Sequence, residues 1–182
     1  LAGAVQGYFG GKTDLLMQRL IEIWGGMPEL YLLIILLSFF NPSLLMLLVL
    51  LTLFGWMGLS DYVRAEFLKN RQADYVMAAK SMGVSDGQIM WRHILPNSLT
   101  PVLAFLPFRI SGAVLALTSL DFLGLGVPAS QASLGELLAQ GKENLDAWWI
   151  GLPAFAALTL MLLLLVMIGE GLRHAFDVRA RN

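Results

Sequence analysis

LYLLIILLSFFNPSLLMLLVLLTLFGWMGLS, Leu30 to Ser60, runs for 31 residues without a charged side chain. As a single helix it would be roughly 46 Å long, well past the ~30 Å hydrocarbon core of a bilayer, so it reads as parts of two membrane spans. Asn41-Pro42 supplies the break, because proline has no N–H to continue a helix ladder and restricts the residue before it. The first span then takes in about Asp14 to Phe40, with a kink at Pro28 and Glu29 as an intramembrane charge. The second covers about Ser43 to Val63. Further along, a third stretch from Ile94 to Leu120 is interrupted only by Arg109 and punctuated by Pro96, Pro101 and Pro107. Ala147 to Gly169, without a charge, is the cleanest spanning signal of all. Leu1 to Phe9 is too short to span and reads as the tail of a helix.

Composition agrees. The 182 residues are 57% hydrophobic and only 14% charged, with a mean hydropathy of +0.70, where a soluble domain carries about 25% charged residues. Such a chain would leave large bare patches facing water, so a small membrane bundle is the class that fits. The net charge of -1 implies no general attraction to nucleic acid. The absence of cysteine excludes a disulfide framework, thiolate metal sites and a cysteine nucleophile. Residue 1 is Leu, followed by small apolar residues without a basic leader. The sequence is therefore read as starting inside a longer chain, with no signal peptide to interpret.

Lys and Arg are retained on the cytoplasmic side of a membrane, which orients the spans. Segment 61–93 holds Arg64, Lys69, Arg71, Lys80 and Arg92, and the tail after 169 holds Arg173, Arg179 and Arg181. Segment 121–148 holds only Lys142, against Asp121, Glu136, Glu143 and Asp146. Loop 61–93 and the C-terminus are expected inside and 121–148 outside, with two spans between them. By alternation the Asn41-Pro42 turn is outside and the Gly10-Gly11 turn inside.

No catalytic constellation is present. His93 and His174 are far apart, each beside an arginine and without the i, i+4 companion of a helical metal site, so both read as interface residues. No serine sits in a G-x-S-x-G turn. There is no G-x-x-x-x-G-K-[ST] phosphate loop, so this chain does not use ATP by itself in the usual way, and any energy source must be a partner. Gly3, Gly7 and Gly11 recur at four-residue spacing, which lets another helix backbone approach along one face. Tyr8 and Phe9, like Trp148 and Trp149, fit aromatic belts at the membrane boundary.

The stretch from Asp74 to Asn97, DYVMAAKSMGVSDGQIMWRHILPN, is the most informative. It reads as a helix that stops at Gly83, then a short second helix starting at Ser85 and ending at Pro96. Ser85 and Gln88 have the spacing of a capping box. The short helix carries apolar Ile89, Met90 and Trp91 with polar Asp86, Gln88 and Arg92, and it is too short to be stable alone. It needs a surface to dock against, either a protein partner or the lipid interface.

Met77-Ala-Ala, Gly83 and Leu95-Pro96 resemble the EAA loop of permease subunits of ATP-binding-cassette importers, whose pattern is Glu-Ala-Ala, three residues, Gly, nine residues, Ile-x-Leu-Pro. Met77 stands where the Glu would be and His93 where the Ile would be. Arg92-His93-Ile94-Leu95-Pro96-Asn97 resembles the variant found in the dipeptide, oligopeptide and nickel branch. So do Gly7-Tyr8-Phe9-Gly10-Gly11, Asp74-Tyr75-Val76, Leu120-Asp121-Phe122-Leu123-Gly124-Leu125-Gly126-Val127 and Gly169-Glu170-Gly171-Leu172-Arg173, ending at Asp177. Ser133-Leu134-Gly135-Glu136-Leu137-Leu138, in place of the usual Ser-Trp-Gly form, is most similar to the subunit type associated with microcin C and oligopeptide uptake. The resemblance covers essentially the whole chain.

The resemblance implies an all-α transmembrane permease of the type I, MetI-like kind, spanning residues 1–182 and lacking the first of six spans and most of the second. It implies a bacterial inner-membrane location, multi-pass, and work as half of the translocation pathway for peptides or peptide-like compounds. Its partners would be a second permease subunit, two ATP-binding cassette subunits that use the ATP, a substrate-binding protein facing segment 122–148, and membrane lipid. The chain itself would bind no cofactor or metal and catalyse no reaction. The coupling helix of the family would fall at about Val84 to Trp91 within a loop of about 74–96. Its ATPase-contacting residues would be Ala78, Ala79, Lys80, Gly83, Val84, Ser85, Gln88 and Ile89. Arg109, about mid-span, is a pathway or gating candidate, with Glu29 as a possible ion-pair partner; Asp121 is a third candidate. Two other readings stay open: nickel or another small solute carried by the same machinery, and a secondary transporter or channel subunit without an ATPase.

Overall fold

The computed structural model describes residues 1–39, 43–127 and 131–177, apart from the side chains of Glu29, Leu30, Leu44 and Asp177. Among the described residues the chain is helical with no strand, running α1 (Ala2–Phe9), α2 (Gly11–Gly25), α3 (Glu29–Phe39), α4 (Leu44–Asn70), α5 (Asp74–Ser81), α6 (Asp86–Gln88), α7 (Leu95–Phe122), α8 (Leu134–Glu143) and α9 (Trp148–Asp177). A π-helical turn, Ile89–Ile94, joins α6 to α7. Three helices among the described residues are long and apolar enough to cross a membrane: α4, α9, and α7 together with the turn and α6 before it. The Asn41-Pro42 break lies outside the described residues.

The expected first span is divided rather than kinked. Gly26 N–H still reaches Glu22 O at 2.8 Å, but Pro28 has no N–H to pass the ladder on, and the chain leaves the helix until α3 begins. α3 has 11 residues, about 16 Å of rise, so it does not reach across a bilayer alone. α4 instead runs longer than expected, to Asn70 rather than Val63. Ser43 Oγ caps its start by accepting from Met46 N–H at 3.2 Å.

The chain forms two compact units. One comprises residues 1–27, 54–105 and 175–177. Within it, α1 and α2 both lie on α4, and two contact series give their directions. A Cβ on Gly3 would strike the Ser60 carbonyl, and one on Gly7 would come within 2.5 Å of both Arg64 O and Phe67 Cβ, so α1 runs parallel to α4 at a spacing only glycine permits. Asp14 meets Arg64 and Trp24 stacks on Phe54 at 5.7 Å, so α2 returns antiparallel. Gly10 and Gly11, with φ of +62° and +53°, make the elbow between them. Gly11 has nothing within 4 Å of a built Cβ, so the third glycine of the stripe serves the elbow and not the packing. Phe67, Val76, Ala79, Ile89 and Ile94 close this unit's core with Ala4 and Tyr8.

The second unit comprises residues 28–53 and 106–174 within the described chain. Its buried side chains include Leu33, Leu37, Leu47, Leu120 and Leu158. α8 is held by two glycines. A Cβ on Gly135 would lie 2.9 Å from Phe122 N, and one on Gly141 would lie 2.5 Å from Gly151 Cα, which ties α8 to α7 and to α9. Ser133 Oγ caps α8 by accepting from Glu136 N–H at 3.1 Å. Trp148 and Trp149 stand exposed at the start of α9.

Candidate functional site

The stretch from Asp74 to Ile94 forms a turn of two helices whose geometry follows from its residue types. α5 ends in a left-handed Gly83, φ +77°, with Gly83 N–H on Lys80 O at 3.0 Å and Val84 N–H on Ala79 O at 3.1 Å. This pair of bonds is a Schellman stop, and its usual apolar contact is present because Ala79 is buried and Val84 packs on the same cluster. The helix therefore stops where the sequence places the stop. Gly83 meets nothing within 4 Å, so a substitution there tests the backbone alone. Gly83→Ala is expected to cost about 1–2 kcal/mol from the left-handed conformation, and Gly83→Asn less. Thermal unfolding of the purified protein in detergent checks this, the expected order of midpoints being glycine, asparagine, alanine.

The capping box does not form. Ser85 is the N-cap residue of α6, yet its side chain makes no capping bond; its carbonyl accepts from Ile89 N–H at 3.0 Å. The second helix also does not end at Pro96. It passes into the π turn, where Leu95 N–H reaches back five residues to Met90 O, and continues as α7. The wider turn directly before Pro96 accommodates a ring that would otherwise strike the carbonyl four residues earlier. The expected coupling helix, Val84 to Trp91, is thus the root of α7 and not a free helix.

The eight residues expected to face an ATPase fall into two groups. Ala78, Lys80, Gly83, Ser85 and Gln88 are exposed and Val84 is half-buried. Ala79 and Ile89 are buried in the unit's own core, where they seat the turn. Around the exposed group lie Met77, Met82 at 75% exposure and Trp91 at 58%, with Arg92 beside them. Charge and soft apolar surface are mixed there, and Met and Trp are residue types enriched at protein contacts.

Tyr8, read from sequence as a belt residue, is buried beneath the turn at 5% exposure, while Phe9 is exposed. Its hydroxyl donates to Asp86 Oδ1, Lys80 Nζ lies over its ring 4.9 Å from the centroid, and Arg71 Nη1 donates to its carbonyl at 3.4 Å. Tyr8, Arg71 and Asp86 are the site residues that sequence reasoning missed. The available signal was local: a tyrosine next to a close-packed glycine face needs a partner for its hydroxyl.

The three pathway candidates do not come together as one site among the described side chains. Arg109 is half-buried near the middle of α7. The Glu29 side chain lies outside the described residues. Asp121 closes the end of α7: Gly124, φ +72°, and Leu125 form a second Schellman stop on Asp121 O and Leu120 O, both at 2.9 Å. Asp121 Oδ1 then accepts from Val127 N–H at 2.9 Å, and a Cβ on Gly126 would collide with this carboxylate. Its charge is engaged by local backbone. No cluster of metal-ligating side chains occurs among the described residues.

Among the described residues, three apolar helices long enough to cross a membrane and a two-helix turn seated at the root of one of them are the architecture of a multi-pass membrane protein. The chain belongs to the family described as the binding-protein-dependent transport system inner membrane component, which it matches over residues 1–182. It is 54% identical over 178 residues to the peptidoglycan transport system permease protein YejE of Agrobacterium fabrum, covering 98% of this chain and 47% of that protein. It is likewise 54% identical over 177 residues to the inner membrane ABC transporter permease protein YejE of Escherichia coli, covering 97% and 52%. The oligopeptide transport system permease protein OppC of Haemophilus influenzae is 36% identical over 181 residues, covering 98% and 58%. The chain spans about half the length of the curated relatives it matches.

Proposed function

We propose that this chain forms half of the membrane pathway of an ATP-driven importer for peptides or peptide-like compounds, with a second permease subunit completing the pore. The loop of about 74–96 is its contact with the ATP-binding cassette subunits, which hydrolyse the ATP; this chain has no catalytic role. The carrying observation is the exposed tip formed by Gly83, Ser85 and Gln88 on a turn whose other face is locked into the protein by Ala79 and Ile89. A rigid seat with an accessible tip can transmit a push into α7, whereas a helix lying on lipid would present Ile89 to the membrane. Relatives are named for dipeptide, oligopeptide and peptidoglycan transport, and amide-linked residues are the chemistry common to those cargoes. The positive segment 61–93 and the C-terminus face the cytoplasm of a bacterial inner membrane, and the acidic segment 121–148 faces a substrate-binding protein on the other side. Arg109 lines or gates the pathway, since a charge in mid-span faces a bundle interior or a water-filled path. ATP drives the change only by binding the two states unequally.

The test uses the lack of cysteine in this sequence. In the full-length protein, with any other cysteine replaced, Ser85→Cys is combined with single cysteines across the partner ATPase surface, and cross-linking is measured with and without ATP. A specific cross-link whose yield changes with nucleotide is the expected result. No cross-link at Ser85 or Gln88 in a folded, active complex would overturn the assignment and favour a transporter that runs on an ion gradient.

A further inference from the structure

Gly3 and Gly7 bring the α1 backbone onto α4. Tyr8, beside Gly7, directs its polar groups to the turn and its approach. Its hydroxyl bonds Asp86, the first residue of α6; its ring receives the Lys80 ammonium from α5; its carbonyl, at the end of α1, receives Arg71. The ring itself is buried in the cluster with Val76, Ala79 and Ile89.

Lys80 and Asp86 stand on opposite sides of the Gly83 stop, one on each helix that the stop joins. Tyr8 therefore makes polar contacts with both halves of the turn. A bond from a hydroxyl to a carboxylate is about twice as strong as one between neutral groups, and the exposed Lys80 ammonium over the aromatic face adds a smaller attraction. Phenylalanine would fill the same volume and keep the contact with Lys80, but it would release Asp86.

We propose that Tyr8 is a positioning residue that fixes the α5–Gly83–α6 turn on α1, so that force on the exposed tip moves turn and α1 as one body. Without the bond to Asp86 the tip keeps its apolar seat on Ala79, Val84, Ile89 and Ile94 but loses its polar tie to α1, so that it can rock about the root of α7 while α1 stays behind. This rests on the reading of the tip as the ATPase contact.

The experiment uses the full-length protein in the complete transporter in lipid vesicles. Spin labels on cysteines at Phe9 and Ser85, both exposed, report the distance distribution between α1 and the tip, with and without ATP. The unsubstituted protein is expected to give one narrow distribution under both conditions. Tyr8→Phe and Asp86→Ala should each at least double its width, while Asp86→Asn, which keeps an acceptor oxygen, should stay narrow. The double variant Tyr8→Phe with Asp86→Ala should be no broader than either single one, because both remove the same bond. In parallel, ATP hydrolysed per peptide imported is measured with a mixture of radiolabelled di- to pentapeptides. Tyr8→Phe is expected to raise that ratio at least threefold with an unchanged yield of complex. A narrow distribution in Tyr8→Phe, a double variant whose broadening is the sum of the singles, or a lower yield of complex with an unchanged ratio would each overturn the proposal. If the unsubstituted complex imports no peptide, the proposed cargo fails, and the distance measurement still decides the role of Tyr8.

Discussion

Gly7→Leu is expected to abolish accumulation of the protein in membranes, the largest loss of any single substitution considered. A Cβ at this position already comes within 2.5 Å of both the Arg64 carbonyl oxygen and Phe67 Cβ, and within 3.1 Å of Leu68 N. Each of these atoms is backbone or the first carbon of a side chain, so no rotamer change relieves the contact. The helices must separate instead. In lipid the apolar faces of two helices gain nothing by leaving the hydrocarbon for each other, so their association depends on close packing and polar bonds. Separation of α1 from α4 also removes Tyr8 and Ala4 from the core that seats the two-helix turn. Even Gly7→Ala is expected to lower the level, since overpacking costs about 1–3 kcal/mol. Immunoblotting of washed membranes reads the outcome. A second arm makes the cause specific: Phe67→Ala leaves both close atoms in place, so it should not rescue Gly7→Leu. Accumulation of the double variant at half the unsubstituted level or more would mean that ring crowding, rather than backbone approach, sets the limit.

The same glycines show what was legible in the sequence. Small residues at four-residue spacing predicted a close helix contact, and Gly3 and Gly7 make it; Gly11 belongs to the pattern but serves the elbow, because pattern alone does not tell a packing glycine from one needed for positive φ. The charge-poor runs gave α4, α7 and α9, since hydropathy over a span depends on composition and not on detailed contacts. Gly83 was legible because a left-handed stop is written in adjacent residues, a glycine followed by an apolar Val84. Ser85 and Gln88 match a local rule as well, yet no side-chain capping bond forms at Ser85, and the structure offers no reason for it. Pro96 departs from its rule for an identifiable reason. The rule that proline ends a helix assumes an α-helical turn before it, and the π turn removes that assumption.

What remained hidden is the bond between Tyr8 and Asp86. They lie 78 residues apart, and nothing local to either indicates the other. Only the packing of α1 and the turn on the same end of α4 brings them together. The turn's outline could thus be read from sequence, while the seat that makes it rigid could not. This difference bears on function. A tip that transmits force needs both, and the exposed residues Ser85 and Gln88 are informative only because Ala79 and Ile89 are fixed behind them.

The ion pair between Asp14 and Arg64 supplies the second large effect. Arg64 Nε and Nη2 donate to the two Asp14 carboxylate oxygens at 2.5 and 2.6 Å, with the side chains only 26% and 13% exposed. The pair binds α2 to α4 just beyond the Gly10–Gly11 elbow, beside the contact that Gly7 makes with the Arg64 backbone. The pair is part-buried, so removing one member costs less than the about 3–5 kcal/mol of a fully buried pair, while placing two like charges there adds repulsion to the loss. Asp14→Arg, which places two cations together, and Arg64→Asp, which places two carboxylates together, are therefore each expected to reduce the membrane level at least tenfold. Arg64→Lys should fall between, because an ammonium keeps the charge but cannot make the two-pronged contact. The exchanged pair, Asp14→Arg with Arg64→Asp, restores opposite charges at the same two positions and should recover a third or more of the original level. Gain over both singles is the signature of a direct interaction, since independent losses would add. If the exchanged pair accumulates no better than the worse single variant, the bond is dispensable to the elbow, and the parallel packing of α1 with the stack of Trp24 on Phe54 carries that junction alone.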